Sequence, residues 1–98
     1  MDAIPKEELA AACRKMARRI AAAIVQCMAE TDFNFTQIAA RIGKTEKDIK
    51  TWMDRLFDGD GGEASLDHVS DILLAMGAEL DFAVNRIQAK PIPFKESE

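Results

Sequence analysis

Few side chains of this 98-residue sequence could perform catalysis or bind a metal ion. His68 is the only histidine, and no cysteine lies at the spacing from it that a zinc site uses. Without a second imidazole or an activated thiol, a nucleophile, a base and an orienting group cannot be assembled. We therefore expect a protein that is not an enzyme and that holds no metal and no cofactor.

The acidic segment DGDGGE at 58–63 has the oxygen ligands that calcium prefers, but its spacing does not fit a calcium site. An EF-hand loop that starts at Asp58 requires glycine at its sixth position and glutamate at its twelfth. Those positions hold Glu63 and Val69. The segment is therefore predicted to be a glycine-rich loop.

The best-defined local pattern is the joint IGKT at 42–45, between two segments with helical apolar spacing. Gly43 suits a left-handed helix C-cap, and Thr45 with Asp48 forms an N-terminal capping signature. Two short helices joined so closely should cross at a large angle, as in a helix-turn-helix; an ordinary helical corner is the alternative. Their buried face would hold Ile38, Ala39, Ile42, Ile49, Trp52, Met53 and Leu56.

A long amphipathic helix, from about residue 6 to about residue 30, is predicted before this joint. Its apolar residues recur at intervals of three and four and should form one buried stripe: Leu9, Cys13, Met16, Ile20, Ile24 and Cys27. The basic residues of this helix lie away from the centre of the stripe. They form a solvated face, or they contact phosphates or a partner.

Two further helices are bounded by capping residues. Thr36 is the predicted N-cap of the second helix, and the helix-turn-helix is expected at about 36–57. Ser65 is the predicted N-cap of the last helix, which should run over about 65–77 and end at Gly77.

Alternating apolar residues favour a short strand at 79–84. Such a strand could pair only with a copy of itself or with another protein. Residues 1–85 are thus expected to form one domain, and 86–98 an extended or disordered tail. The alanine-rich composition, with only 6% aromatic residues, favours an all-α fold.

The net charge of −4 is distributed unevenly. Residues 1–30 and 31–56 each carry five basic and four acidic residues, whereas 57–98 carry three and nine. A basic surface in the first half is what local nucleic-acid binding requires. No apolar run of about 18 residues exists, which argues against a membrane span. Cys13 and Cys27 lie about 21 Å apart along one helix, too far to pair, which favours a reducing cytoplasm.

Two separated segments resemble the Xre-type, lambda-repressor-like helix-turn-helix DNA-binding proteins. The first is TQIAARIGKT at 36–45, followed by Ile49 and Trp52, and the second is SLDHVSDILLAMGAEL at 65–80. The family pattern has Thr-Gln opening helix two, Leu-Ala and a later Gly in the turn, and a fifth helix ending in Ala-Leu-Gly-x-x-Leu. The resemblance covers about 9–82 and implies an all-α, five-helix domain, here with a short C-terminal strand.

The resemblance also implies residues that contact DNA: Gln37, Lys44, Thr45, Glu46, Lys47, Lys50 and Thr51. Gln37 would meet a phosphate at the N-terminus of helix two. The helix at 45–56 would lie in the major groove. There Lys47 would donate to guanine, Glu46 would accept from cytosine N4, and Thr51 would contact a thymine methyl group or a phosphate. Trp52 is expected to pack on the core side.

The sequence departs from the family pattern where Asn-Gly usually closes the third helix, because Asp54 and Arg55 stand there. That helix is therefore expected to continue towards Phe57. Glu46 and Asp48 bring negative charge to the end that would meet DNA, which implies unusual specificity, weak affinity or a surface diverted to a protein.

We accordingly expect a cytoplasmic transcriptional regulator that binds double-stranded DNA as a homodimer and acts as a repressor. The alternative is a protein-interaction module, such as an antitoxin that uses this scaffold to bind a toxin or another regulator. The acidic second half of the chain and the strand at 79–84 favour that alternative.

Overall fold

The computed structural model describes residues 3–59, 65–81 and 84, and these residues confirm the all-α prediction. They contain no β-strand. Their helices are α1 (Lys6–Thr31), α2 (Phe35–Ile42), α3 (Glu46–Phe57) and α4 (Leu66–Ala75).

The prediction of five helices was wrong, because the described residues form four. Only eight residues, 58–65, lie between α3 and α4, and three of them are glycines. Glycine disfavours helix, so the sequence of this connection gives little support for a further helix. The strand at 79–84 is not formed at 79–81 or at 84; residues 82 and 83 and the tail at 86–98 lie outside the described residues.

Left-handed backbone ends both α2 and α4, as the sequence predicts. Gly43 has φ 70° and ψ 33°, and the amide of Lys44 donates to the carbonyl of Ala39 at 2.9 Å. Gly77 has φ 74°, and the amide of Ala78 donates to the carbonyl of Leu73 at 2.9 Å. These bonds satisfy carbonyls that the helix ends would otherwise leave without partners.

The core is aliphatic and is shared by all four helices. α3 packs against α1 and α2, and α2 also packs against α4. The ring of Trp52 on α3 stacks on His68 of α4, with centroids 3.9 Å apart and planes 7° apart. The placement of Trp52 on the core side is therefore confirmed. The buried residues are Ala17, Ala21, Ile24, Ile38, Ala39, Ile49, Met53, Leu56, Val69, Ile72, Leu73, Ala75 and Met76.

The stripe predicted along α1 is buried only in its second half. Ile24 is buried and Ile20 is half-buried, but Leu9, Cys13 and Met16 are exposed. The periodicity identified the apolar face of the helix correctly, but the other helices cover that face only from Ala17 onwards. Along the described part of the chain, no helix combines the length and the apolar character needed to cross a membrane.

Gly43→Ala is expected to lower the free energy of unfolding by about 1 kcal/mol, because an L-residue is strained in the left-handed region. A built Cβ at this position meets no atom within 4 Å, so the effect should be conformational and not steric. Urea unfolding followed by circular dichroism measures it.

Asn tolerates this backbone, so Gly43→Asn should cost less than Gly43→Ala. Asp32 at the end of α1 also has left-handed backbone, with φ 61°. Asp32→Gly should therefore raise the free energy of unfolding, because glycine adopts this conformation without strain. Equal stability of wild type and Gly43→Ala would contradict this account of the joint.

Candidate nucleic-acid interface

The N-terminus of α3 is fixed by the capping box that the sequence predicts. The amide of Asp48 donates to Thr45 Oγ1 at 3.1 Å, and the amide of Thr45 donates to Asp48 Oδ2 at 3.1 Å. These reciprocal bonds satisfy two donors at the start of the helix and hold Thr45 in place. The hydroxyl of Thr45 thus serves the fold as an acceptor, while its hydrogen can still be donated outwards.

The N-terminus of α2 is also capped, but by a different residue from the one predicted from sequence. The N-cap is Asn34 and not Thr36, so that prediction was wrong. The amide of Gln37 donates to Asn34 Oδ1 at 2.8 Å, and the amide of Asn34 donates to Gln37 Oε1 at 2.8 Å. An Asx residue followed three positions later by Gln is itself a capping signature, so the pattern N-x-x-Q could have identified this cap.

The two capped N-termini lie next to each other. Thr36 Oγ1 on α2 donates to Glu46 Oε1 on α3 at 3.1 Å, although the residues are ten positions apart. In an uninterrupted helix they would lie about 15 Å apart, too far for their side chains to meet. The chain therefore folds back at the joint, and the first turn of α3 lies beside the first turn of α2.

One face of α3 is exposed and polar. Ile49, Met53 and Leu56 are buried, whereas Lys47 and Thr51 lie on the opposite side of the helix and are exposed. This face continues into the joint and across to the start of α2. We call the exposed residues there the α2–α3 surface; they are Gln37, Lys44, Thr45, Glu46, Lys47, Lys50 and Thr51.

Like Thr45, Gln37 and Glu46 already have partners within the fold. The Oε1 atom of Gln37 accepts from Asn34, so the Nε2 atom of Gln37 is the group that carries donors for a phosphate. The backbone amide of Gln37 is bound to Asn34 and is not directed at a ligand. Glu46 uses one carboxylate oxygen to bind Thr36, so its negative charge stabilises the fold-back at the joint.

Negative charge persists at this surface over a wide pH range. The backbone amide of Thr45, then its hydroxyl, lower the pKa of Asp48 from 3.8, and the positive charges of Lys44 and Lys47 add to the effect. Asp48 therefore stays ionised and offsets part of the positive charge of those lysines. From 44 to 55 the chain carries four basic and three acidic residues, so its net charge is only +1.

A basic residue of α1 supports α3 from the other end. Arg18 Nε donates to the carbonyl of Phe57 at 3.1 Å. A cation at a helix C-terminus also interacts favourably with the helix dipole. From sequence, the basic residues of α1 are expected to be solvated or to contact a phosphate or a partner; in the structure Arg18 instead anchors the last turn of α3. Because the contact joins residues 39 positions apart, no local pattern could have revealed it.

Comparison with protein-family models, with curated proteins and with solved structures finds no match to the chain.

Asp48→Asn keeps the shape of the capping side chain and removes its charge. Because the pKa of Asp48 is lowered in the folded chain, the carboxylate stabilises the fold above its unfolded pKa of 3.8, and this contribution is lost as the pH falls through the folded value. We expect the variant to be less stable than wild type near neutral pH, and the difference to disappear once the pH lies below the lowered pKa of the Asp48 carboxyl. Urea titrations at a series of pH values measure the difference.

Asp54→Asn is the matched control, since Asp54 is an exposed aspartate of the same helix outside the capping box. A difference between wild type and Asp48→Asn that stays constant with pH would contradict the capping role of the charge.

Proposed function

We propose that the chain is a sequence-specific DNA-binding transcriptional regulator of the lambda-repressor-like, helix-turn-helix type, with α3 in the major groove. The observation that carries the proposal is the exposed face of α3, which the Thr36–Glu46 hydrogen bond holds beside the start of α2. A rigid helix with exposed polar side chains, presented together with a second helix N-terminus, suits groove entry with flanking phosphate contacts.

Each residue of the α2–α3 surface has a role in this proposal. Lys47 donates to guanine, and Thr51 contacts a thymine methyl group or a phosphate. Glu46 accepts from cytosine N4 through the oxygen that does not bind Thr36. Phosphate contacts come from the side chains of the remaining members, which are Gln37, Lys44, Thr45 and Lys50.

The proposed regulator acts as a homodimer and represses by occupying its operator. One chain presents one α3, which reads one half-site, and a second copy reads a second half-site about 34 Å away. The low net charge of α3 and the −4 of the whole chain predict weak non-specific binding. Discrimination between sequences would then depend mainly on base contacts.

Selection from a pool of random DNA duplexes should enrich one sequence, and the selected duplex then serves as the probe in anisotropy titrations. Lys47→Ala and Thr51→Ala should each weaken binding to it by roughly 5- to 150-fold, because each removes a base contact that contributes about 1–3 kcal/mol. Both variants should keep the circular dichroism spectrum of the wild type, since both side chains are exposed.

Lys6→Ala and Thr31→Ala are matched controls, because they replace the same two residue types with alanine. Both residues are exposed, and they lie at the two ends of α1. The controls should leave affinity unchanged. Failure to enrich any duplex, or equal affinity of all four variants, would refute the assignment of α3 as the recognition helix.

A protein-interaction module, such as an antitoxin, is the second candidate function, and a groove beside α4 favours it. Leu66 and Leu74 are 72% and 71% exposed, and with Leu80 they line a mainly apolar groove of about 460 Å³. The acidic residue Glu79 also lines the groove, and exposed apolar residues beside a negative charge suit a basic partner that also has apolar anchors.

Under this second candidate function, Leu66→Ser and Leu74→Ser should abolish binding to a basic partner protein, and Lys47→Ala should leave that binding unchanged. Co-purification of the tagged variants with the partner measures the effect. Loss of the partner in Lys47→Ala, with retention in both leucine variants, would contradict this role of the groove.

A further inference from the structure

The first half of α1 extends beyond the part of the helix that the core covers. Every residue from 6 to 16 is exposed, and Ala17 is the first buried residue of α1. These eleven residues form about 16 Å of helix. Helices of this length have little stability alone in water, so packing against another surface would stabilise this exposed segment.

An apolar stripe runs along this uncovered half. Leu9 is 55% exposed and Met16 is 60% exposed, and Cys13 between them is also exposed. Their spacing of four and three is that of the seam of a coiled coil, and it continues to the half-buried Ile20. The buried Ile24 follows four residues later, one turn further along the helix. The stripe is thus one continuous apolar face. The other helices of the same chain cover only its second half.

The charges beside the stripe favour an antiparallel partner of the same sequence. Glu8 and Arg19 are eleven residues apart, which is close to three turns, so they lie on the same flank of the stripe. In a parallel pair, the two copies of this flank lie on opposite sides of the seam, so neither charge meets its opposite on the partner. An antiparallel pair with its two-fold axis beside Cys13 brings Glu8 next to Arg19 of the partner subunit, and does so twice.

We propose that α1 of one chain pairs with α1 of a second copy in antiparallel orientation, through Leu9, Cys13 and Met16, with Glu8 beside Arg19 of the partner subunit. This interface rests on the homodimer of the proposed function and supplies its contact surface. A seam of about two to three turns is small compared with stable dimer interfaces, so the dissociation constant should be on the order of micromolar.

Sedimentation equilibrium of the full chain, without DNA, tests the interface independently of DNA binding. Glu8→Arg and Arg19→Glu should each raise the dissociation constant at least about tenfold, because each places like charges side by side. The double variant Glu8→Arg/Arg19→Glu should restore it. Glu7→Arg is the matched control, since it makes the same change in the same helical turn about 100° away from Glu8 and should leave dimerisation unchanged.

Thiol crosslinking gives a second measurement that needs no charge variant. In the Cys27→Ser chain, a short bismaleimide should join two copies through Cys13, because the two-fold axis lies beside that residue. The Cys13→Ser chain, which retains Cys27, should not crosslink. A monomer at all concentrations, or a dimer that neither single charge reversal weakens, would overturn this interface. Neither result would refute DNA binding by α3, which the anisotropy titrations test separately.

Discussion

The reversal of the chain at Gly43 is the constraint on which the rest of the structure depends. The left-handed backbone there ends α2, and the hydrogen bond from Thr36 to Glu46 brings the start of α3 back beside the start of α2. In this arrangement α3 packs against both α1 and α2. The same arrangement leaves one face of α3 uncovered, so the core and the candidate interface have a common origin.

The acidic residues at the start of α3 serve this reversal. From sequence, Glu46 and Asp48 weaken the case for DNA binding, because they bring negative charge to the helix end that would approach phosphates. In the structure, Glu46 binds Thr36 and Asp48 caps the helix together with Thr45. Their presence therefore has a structural reason that is independent of the ligand. The proposed regulator would combine a well-fixed α3 with modest electrostatic attraction.

Local patterns predicted the features that depend on neighbouring residues. The cap at Thr45, the left-handed Gly43 and the buried Ile49 followed from spacing and residue type, because a helix end and a helix face are determined within one or two turns. Two predictions failed for want of long-range information. Periodicity identified the apolar face of α1 but could not show that nothing covers Leu9, and the fifth helix came from the family resemblance, which the glycine-rich connection does not follow.

The candidate site also combines features that local patterns predict with one that depends on a tertiary contact. Exposure of the α2–α3 surface was predictable, since its members lie away from the apolar face of α2 or of α3, or in the joint. The bond between Thr36 and Glu46 was not predictable, because it depends on how the joint folds.

Titration of the isotope-labelled chain with a selected DNA duplex, followed by amide NMR shifts, tests directly whether the α2–α3 surface binds DNA. Shifts concentrated at 36–37 and 44–51 are expected, whereas shifts confined to 66–80, or none, would contradict the account.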